Sequence, residues 1–127
     1  SDGVIRGAIG GHPDTAEGAS LSVVVAPLTR GRIPTIVKHV NTVVTPGDAV
    51  DVVVTDQGIA VNPRRPDVKE KLEKAGLHVF TIEQLQQLAE KIVGVPEPIR
   101  YKDRVVGVVM YRDNTIIDVI RQIDEDA

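Results

Sequence analysis

The 127-residue sequence predicts a mixed α/β domain, and three patterns carry that prediction. Valine- and isoleucine-rich runs of strand length fill the first half of the chain. Two helical periodicities alternate with short extended runs between Pro66 and Gly94. An Asp113-Asn114 pair then separates two further β-rich stretches near the C-terminus. Strands joined by helices favour a mixed, mostly parallel sheet with flanking helices, followed here by a C-terminal β-hairpin. The aliphatic runs suit strands covered on both faces.

The elements follow in order. Val4–Ile9 reads as a strand broken by Gly7. Leu21–Ala26, apolar except for Ser22, reads as a central strand ending at Pro27. Ile33–Val37 and Val40–Val44 are further strand candidates. Pro46-Gly47 fits the middle of a type II turn, proline setting φ and glycine taking the positive φ. Val50–Thr55 is the next strand, Asp56-Gln57-Gly58 turns the chain, and Ile59–Val61 resumes it. Pro66 suits a first helical position, where its missing donor costs nothing. Val68, Leu72 and Ala75 share one face of this helix and Gly76 stops it. Glu70 and Lys74 form an i, i+4 pair in the better orientation. Leu77–Phe80 is a short strand. Thr81 with Gln84 makes a capping box for a second helix, whose apolar stripe is Ile82, Leu85, Leu88, Ala89 and Ile92. Gly94 and Pro96 end it, and Glu97–Arg100 is an extended linker. Arg104–Arg112 and Thr115–Arg121 pair as a hairpin around Asp113-Asn114, residues that accept positive φ.

By length this is one domain. At 42% hydrophobic the chain can bury a core, but an aliphatic one, since Phe80, Tyr101 and Tyr111 are its only aromatics. A net charge of −3 supplies no basic face for nucleic acid or an anionic membrane. No run approaches a membrane span. No signal-peptide pattern is visible, and a start at Ser1 rather than methionine suggests part of a longer protein. Without cysteine there is no disulfide, thiolate nucleophile or thiolate metal site, which is compatible with a cytoplasmic location. His12, His39 and His78 lack the spacing of zinc ligands, so no metal is expected.

Chemistry concentrates in three segments. The first is Ser1–Ala19, where Gly3, Gly7, Gly10 and Gly11 precede His12 and Asp14. Glycine lets a backbone turn sharply and approach a ligand closely. His12 and Asp14 follow that turn directly, where a bound group can touch them. The plainer reading is a glycine-rich turn in which the Asp14 carboxylate accepts from nearby amides. The second segment is Ala26–Thr35, with Arg30 and Arg32 flanking Gly31. The third is Val50–Pro66, a buried-type strand, a Thr-Asp-Gln-Gly turn, and a short apolar run ending in Asn-Pro-Arg-Arg-Pro. Arg64 and Arg65 stand at a helix start and can grip a carboxylate or phosphate. Both arginine pairs can equally be solvated, and Arg65 can form a salt link to Asp67.

Taken with the Tyr111–Ile123 stretch, these ordered segments resemble the C-terminal part of citrate lyase alpha subunits, in the CoA-transferase superfamily. Two positions depart from the family pattern. Pro13 stands where a small polar residue is usual, and Asn114 where glycine is usual. The resemblance implies a CoA-transferase-like fold and one domain over residues 1–127, part of a longer two-domain subunit. It implies exchange of acetyl for citryl on an acyl-carrier thioester, by attack of a citrate carboxylate through a mixed anhydride. The implied partners are the beta subunit and the acyl-carrier gamma subunit. The CoA-derived prosthetic group of that carrier would act as substrate, with no tightly bound cofactor.

On this basis Gly10 and Gly11 are candidate amide donors to the oxyanion. His12 can donate to a carboxylate, and Asp14 can orient His12 or hold the loop. Arg64, Arg65, Arg30, Arg32, Asp56 and Gly58 are candidate substrate-binding residues. The Ser-Glu-Asn-Gly setting of a glutamyl-thioester enzyme is absent. Two other readings stay open: a non-catalytic module for subunit contact and carrier docking, and a sugar-phosphate isomerase relative sharing an α/β fold. The isolated piece is expected to be inactive.

Overall fold

The computed structural model of the chain describes residues 9–126. The first element is a helix the sequence reading did not anticipate, α1 (His12–Gly18). Its N-cap is Gly11, and Pro13 lies in its first turn, where no amide donor is required. The unusual proline thus opens a helix instead of distorting a loop. The strand expected at Val4–Ile9 lies outside the described residues except for Ile9, which is in no strand.

The main sheet contains β1 (Val23–Val25), β4 (Val52–Thr55), β5 (Gly58–Val61) and β6 (Val79–Phe80), in the order β1-β4-β5-β6. Between β1 and β4 run a minimal hairpin, β2 (Thr29–Arg30) and β3 (Ile33–Pro34), and a 3-10 turn at Gly47–Ala49. Helix α2 (Pro66–Lys74) joins β5 to β6, and α3 (Ile82–Val93) follows β6. The C-terminal hairpin is β7 (Tyr101–Met110) and β8 (Ile116–Ile123), turning through Asn114 at φ 66°.

The sheet is mixed, as expected, and two of its three strand pairs are parallel. β1 runs parallel to β4 and β5 parallel to β6, but β4 and β5 are antiparallel because only Asp56 and Gln57 separate them. Four expectations need correction. Among the described residues the run at Leu21–Ala26 forms an edge strand, not a central one; β1 pairs there with β4 alone and Val25 is 77% exposed. Strand structure at Ile33–Val37 stops at Pro34, and 40–44 forms no strand. There the Val43 amide donates to the Asp118 carboxylate at 2.7 Å, so a side chain takes the place of a neighbouring strand. Gly47 does not take positive φ. Pro46 caps the 3-10 turn, whose Ala49 amide donates to the Pro46 carbonyl at 3.0 Å.

The later elements match their signals closely. Thr81 and Gln84 form the reciprocal capping box of α3, and Gly94 ends it at φ 83°. Gly76 follows α2 at φ 86°, and Lys74 and Glu70 pair at 2.6 Å on its surface.

The core is small. Leu28, Ala60, Leu85 and Ala89 are buried together, with Ile36, Phe80 and Leu88 packed against them. Of the α3 stripe, Leu85 and Ala89 are buried, while Ile82 and Ile92 are exposed. Coverage on both strand faces is also corrected: Val105, Val106, Val108 and Met110 of β7 are all exposed.

Gly58 is fixed by packing. A Cβ there would lie 2.6 and 2.7 Å from two Phe80 ring carbons and 3.2 Å from a Leu85 methyl. Gly58→Ala should destabilise the domain by about 1–3 kcal/mol through overpacking. A lower melting temperature checks this; an unchanged one would show that the Phe80 ring swings aside freely.

Candidate functional site

The glycine–histidine segment is pinned at both ends. Gly10 takes φ 69°, a left-handed conformation that suits glycine, and leads into Gly11 and α1. The Gly11 carbonyl accepts from the Thr15 amide and the Thr15 hydroxyl, each at 3.0 Å. His12 is exposed, with its Nδ1 3.1 Å from the Thr45 hydroxyl. Asp14 is exposed in the first turn of α1, which has no side-chain cap.

At the far end, α1 meets the turn of the C-terminal hairpin. The Tyr111 hydroxyl donates to the Glu17 carboxylate at 2.5 Å, and an Arg112 guanidinium nitrogen donates to the Asp14 carbonyl at 3.0 Å. The two segments furthest apart in the family resemblance therefore touch. The hydrogen bond to Glu17 is the main reason the Tyr111 phenol is pushed up from 10.0 to about 12. An acid whose pKa is raised on folding adds stability below its unfolded value, and that stability fades as pH climbs through the folded one. Tyr111→Phe should therefore lower the melting temperature at pH 8, and the difference should close between pH 10.0 and about 12. A difference independent of pH in that window would remove Glu17 from the account.

The Asn-Pro-Arg-Arg segment braces the other neighbour of His12, the turn after Thr45. The Asn62 amide nitrogen donates to the Gly47 carbonyl at 3.2 Å and the Val50 carbonyl at 2.9 Å. Arg64 pairs with Asp48 of the same turn at 3.1 Å, both side chains well exposed. Arg65 makes a forked pair with Asp67, at 3.2 Å on each arm. Its remaining nitrogen reaches the Ser20 carbonyl at 3.1 Å and the Asp51 carboxylate at 3.2 Å. Asp67, then, holds the guanidinium further into its charged form, and Arg65 in turn lowers the Asp67 pKa. The salt link to Asp67 is thus formed, and Arg65 ties the entry of β1 to the start of α2.

The structure brings the Gly10–Asp14 segment and the Arg64 segment to the same Thr45–Val50 turn. It does not bring the other candidates there. Arg30 and Arg32 are exposed on the β2–β3 hairpin, around Gly31 at φ 60°. Asp56 accepts from the Leu28 amide at 2.8 Å, which leads the causes of its lowered pKa. It fastens the β4–β5 turn to the segment carrying the buried Leu28. Gly58 makes room for Phe80 in the same turn.

Two grooves are present among the described residues. One, of about 590 Å³, runs along the hairpin and includes Val106, Ile120 and Lys102. The other, of about 720 Å³, lies between the Gly47 turn, the start of α2 and β6, with Arg64 at its border. His12 and Asp14 line neither and stand on open surface. Among the described residues, no group of three or more His, Asp or Glu is placed to hold a metal ion. None of the described helices is long and apolar enough to cross a membrane. Thr45, Asn62, Glu17 and Tyr111 are not anticipated as site residues; Thr45, Asn62 and Tyr111 lie far from His12 in sequence, and Glu17, though in α1 with His12, is marked out only by its bond to Tyr111.

Comparison with known proteins follows the same segments. The family model for the citrate lyase alpha subunit (CitF) matches residues 1–123. The citrate lyase alpha chain of Escherichia coli K12 is 57% identical over 125 residues, covering 98% of this chain and 24% of the relative. That of Klebsiella pneumoniae is 60% identical over 123 residues, covering 97% and 24%. A crystal structure from Streptococcus mutans, described as an alpha subunit of citrate lyase in complex with citrate, superposes with a TM-score of 0.93 at 56% identity. It is covered over 24% of its length by 98% of this chain. The chain thus spans about a quarter of the relatives it matches, and over that span it belongs to the citrate lyase alpha subunit family.

Proposed function

We propose that this chain is the C-terminal, CoA-transferase-like domain of a citrate lyase alpha subunit that exchanges acetyl for citryl on an acyl-carrier thioester. The observation that carries this reading is the match along nearly the whole chain to a family in which a relative 56% identical binds citrate in its crystal structure. In the proposed reaction a citrate carboxylate oxygen attacks the acetyl thioester carbonyl, and the carrier thiolate leaves. A mixed acetic–citric anhydride results. The thiolate then attacks the citryl carbonyl of that anhydride, forming citryl thioester and releasing acetate. Each attack develops negative charge on a carbonyl oxygen, which positioned amide donors stabilise. Gly10 and Gly11 are the proposed donors, with His12 donating to a citrate carboxylate and Asp14 supporting the loop. Arg64, exposed and paired with an equally exposed Asp48, is the arginine of its pair best able to exchange its partner for an anion. Arg65 would act through the scaffold, since two carboxylates already hold it.

A second reading has one observation in its favour. The exposed apolar residues of β7 suit contact with the rest of the subunit or with the beta and gamma subunits. On that reading this domain docks the carrier and the reacting groups lie elsewhere. An exchange assay with the full-length subunit, acetyl-CoA and citrate tests the enzyme reading. Exchange in the full-length subunit and none in the isolated chain is expected; no exchange in the full-length subunit would sink it.

A further inference from the structure

We infer that Thr45 is a positioning residue for His12, holding its imidazole by Nδ1 so that Nε2 is kept for the substrate. The inference rests on the reading of His12 given above. The contact spans 33 residues of sequence at 3.1 Å and joins two segments that are each held independently. On the His12 side, the Thr15 hydroxyl back-bonds to the Gly11 carbonyl at 3.0 Å and lies 3.3 Å from the His12 carbonyl, while Pro13 is buried beneath. On the Thr45 side, Pro46 restricts the preceding residue to extended backbone. The turn that follows is closed by the Ala49 amide on the Pro46 carbonyl and clasped by Asn62 on the Gly47 and Val50 carbonyls. Neither group depends on the other to be in place, so the hydroxyl meets a ring already nearby. The two ring nitrogens of histidine have distinct roles, and the bond made at one sets the state of the other. The hydroxyl can serve either neutral tautomer, donating to a bare Nδ1 or accepting from Nδ1–H, and a His12 that donates from Nε2 to a carboxylate is the first case. The Asn-Pro-Arg-Arg segment then serves His12 at one remove, by bracing the turn that carries Thr45.

The test uses the full-length subunit labelled with 15N-histidine, the His12 signals being those lost in His12→Ala. Wild type and Thr45→Ser should show predominantly the Nε2–H tautomer, and Thr45→Val a larger share of the Nδ1–H form. In the exchange assay Thr45→Val should lower kcat by about threefold to tenfold, the scale of one hydrogen bond, with the KM for citrate little changed. Thr45→Ser should retain most of the activity, and Thr45→Val should cost nothing further in the His12→Ala background. The same tautomer balance in wild type and Thr45→Val would overturn the inference. So would an equal loss from Thr45→Val with and without His12. If His12→Ala exchanges at the wild-type rate while Thr45→Val still shifts the tautomer, the contact to Thr45 stands and the role proposed for His12 in the reaction falls.

Discussion

His12→Ala in the full-length subunit is expected to lower citrate–acetyl exchange by about 10²-fold or more. The expectation joins chemistry to position. Transfer between a thioester and a carboxylate puts charge on oxygen in the transition state, where a placed donor is worth most. His12 follows Gly10, whose φ of 69° sets the turn, and opens α1 on exposed surface. An exposed side chain with one polar contact carries little packing, so the variant should fold and melt like wild type. A rate loss with an unchanged melting curve assigns His12 to the reaction. Unchanged exchange assigns it to the surface and favours the docking reading. A fall in both together would mean that the contact to Thr45 holds the loop more than the substrate.

What the sequence disclosed depended on how local the signal was. The capping box at Thr81 and Gln84, the glycine stops at Gly76 and Gly94, and the Asp113-Asn114 turn are short-range chemistry, and all formed. The Leu21–Ala26 run is an edge strand among the described residues; apolar content does not say which strands will be neighbours. The Val40–Val44 run failed because a side chain 75 residues away, Asp118, took the Val43 amide. Helix α1 was hidden behind the glycines. Its proline in the first turn and its acidic Asp14 are helix-start signals, but beside Gly10 and Gly11 they suit a loop equally well. The site divides the same way. Gly10, Gly11, His12 and Asp14 are adjacent in sequence and could be singled out together. Thr45 and Tyr111 reach the segment only through tertiary contact, and no spacing rule links them to it; Glu17 lies within α1, and only its bond to Tyr111 marks it out. Arg65 shows the reverse: the pattern suggested an anion grip, and the geometry gave its guanidinium to Asp67, Asp51 and Ser20.

Leu85→Ala should be the most damaging packing change, at about 2–5 kcal/mol. Leu85 is 0% exposed and, with Leu28, is one of the two largest fully buried side chains. The residues around it are small or rigidly placed. Ala60 and Ala89 have no further atoms to move into a void, and Phe80 is set by its closeness to Gly58 and its edge contact with His78 at 4.4 Å. A cavity there cannot collapse easily, which puts the cost toward the upper part of that range. The total stability of a domain is typically only about 5–15 kcal/mol, so such a loss is a large share of it. Unfolding of a much longer subunit need not be two-state, which makes a local measurement the better check. Hydrogen exchange of peptides covering β5 and α3 in the full-length subunit should speed up by about 30-fold or more, the exchange equivalent of 2 kcal/mol. Protection unchanged from wild type would mean that α3 is held mainly from outside the cluster of Leu28, Ala60, Leu85 and Ala89. The stability of the domain would then rest on surfaces such as the exposed face of β7, and not on its own buried core.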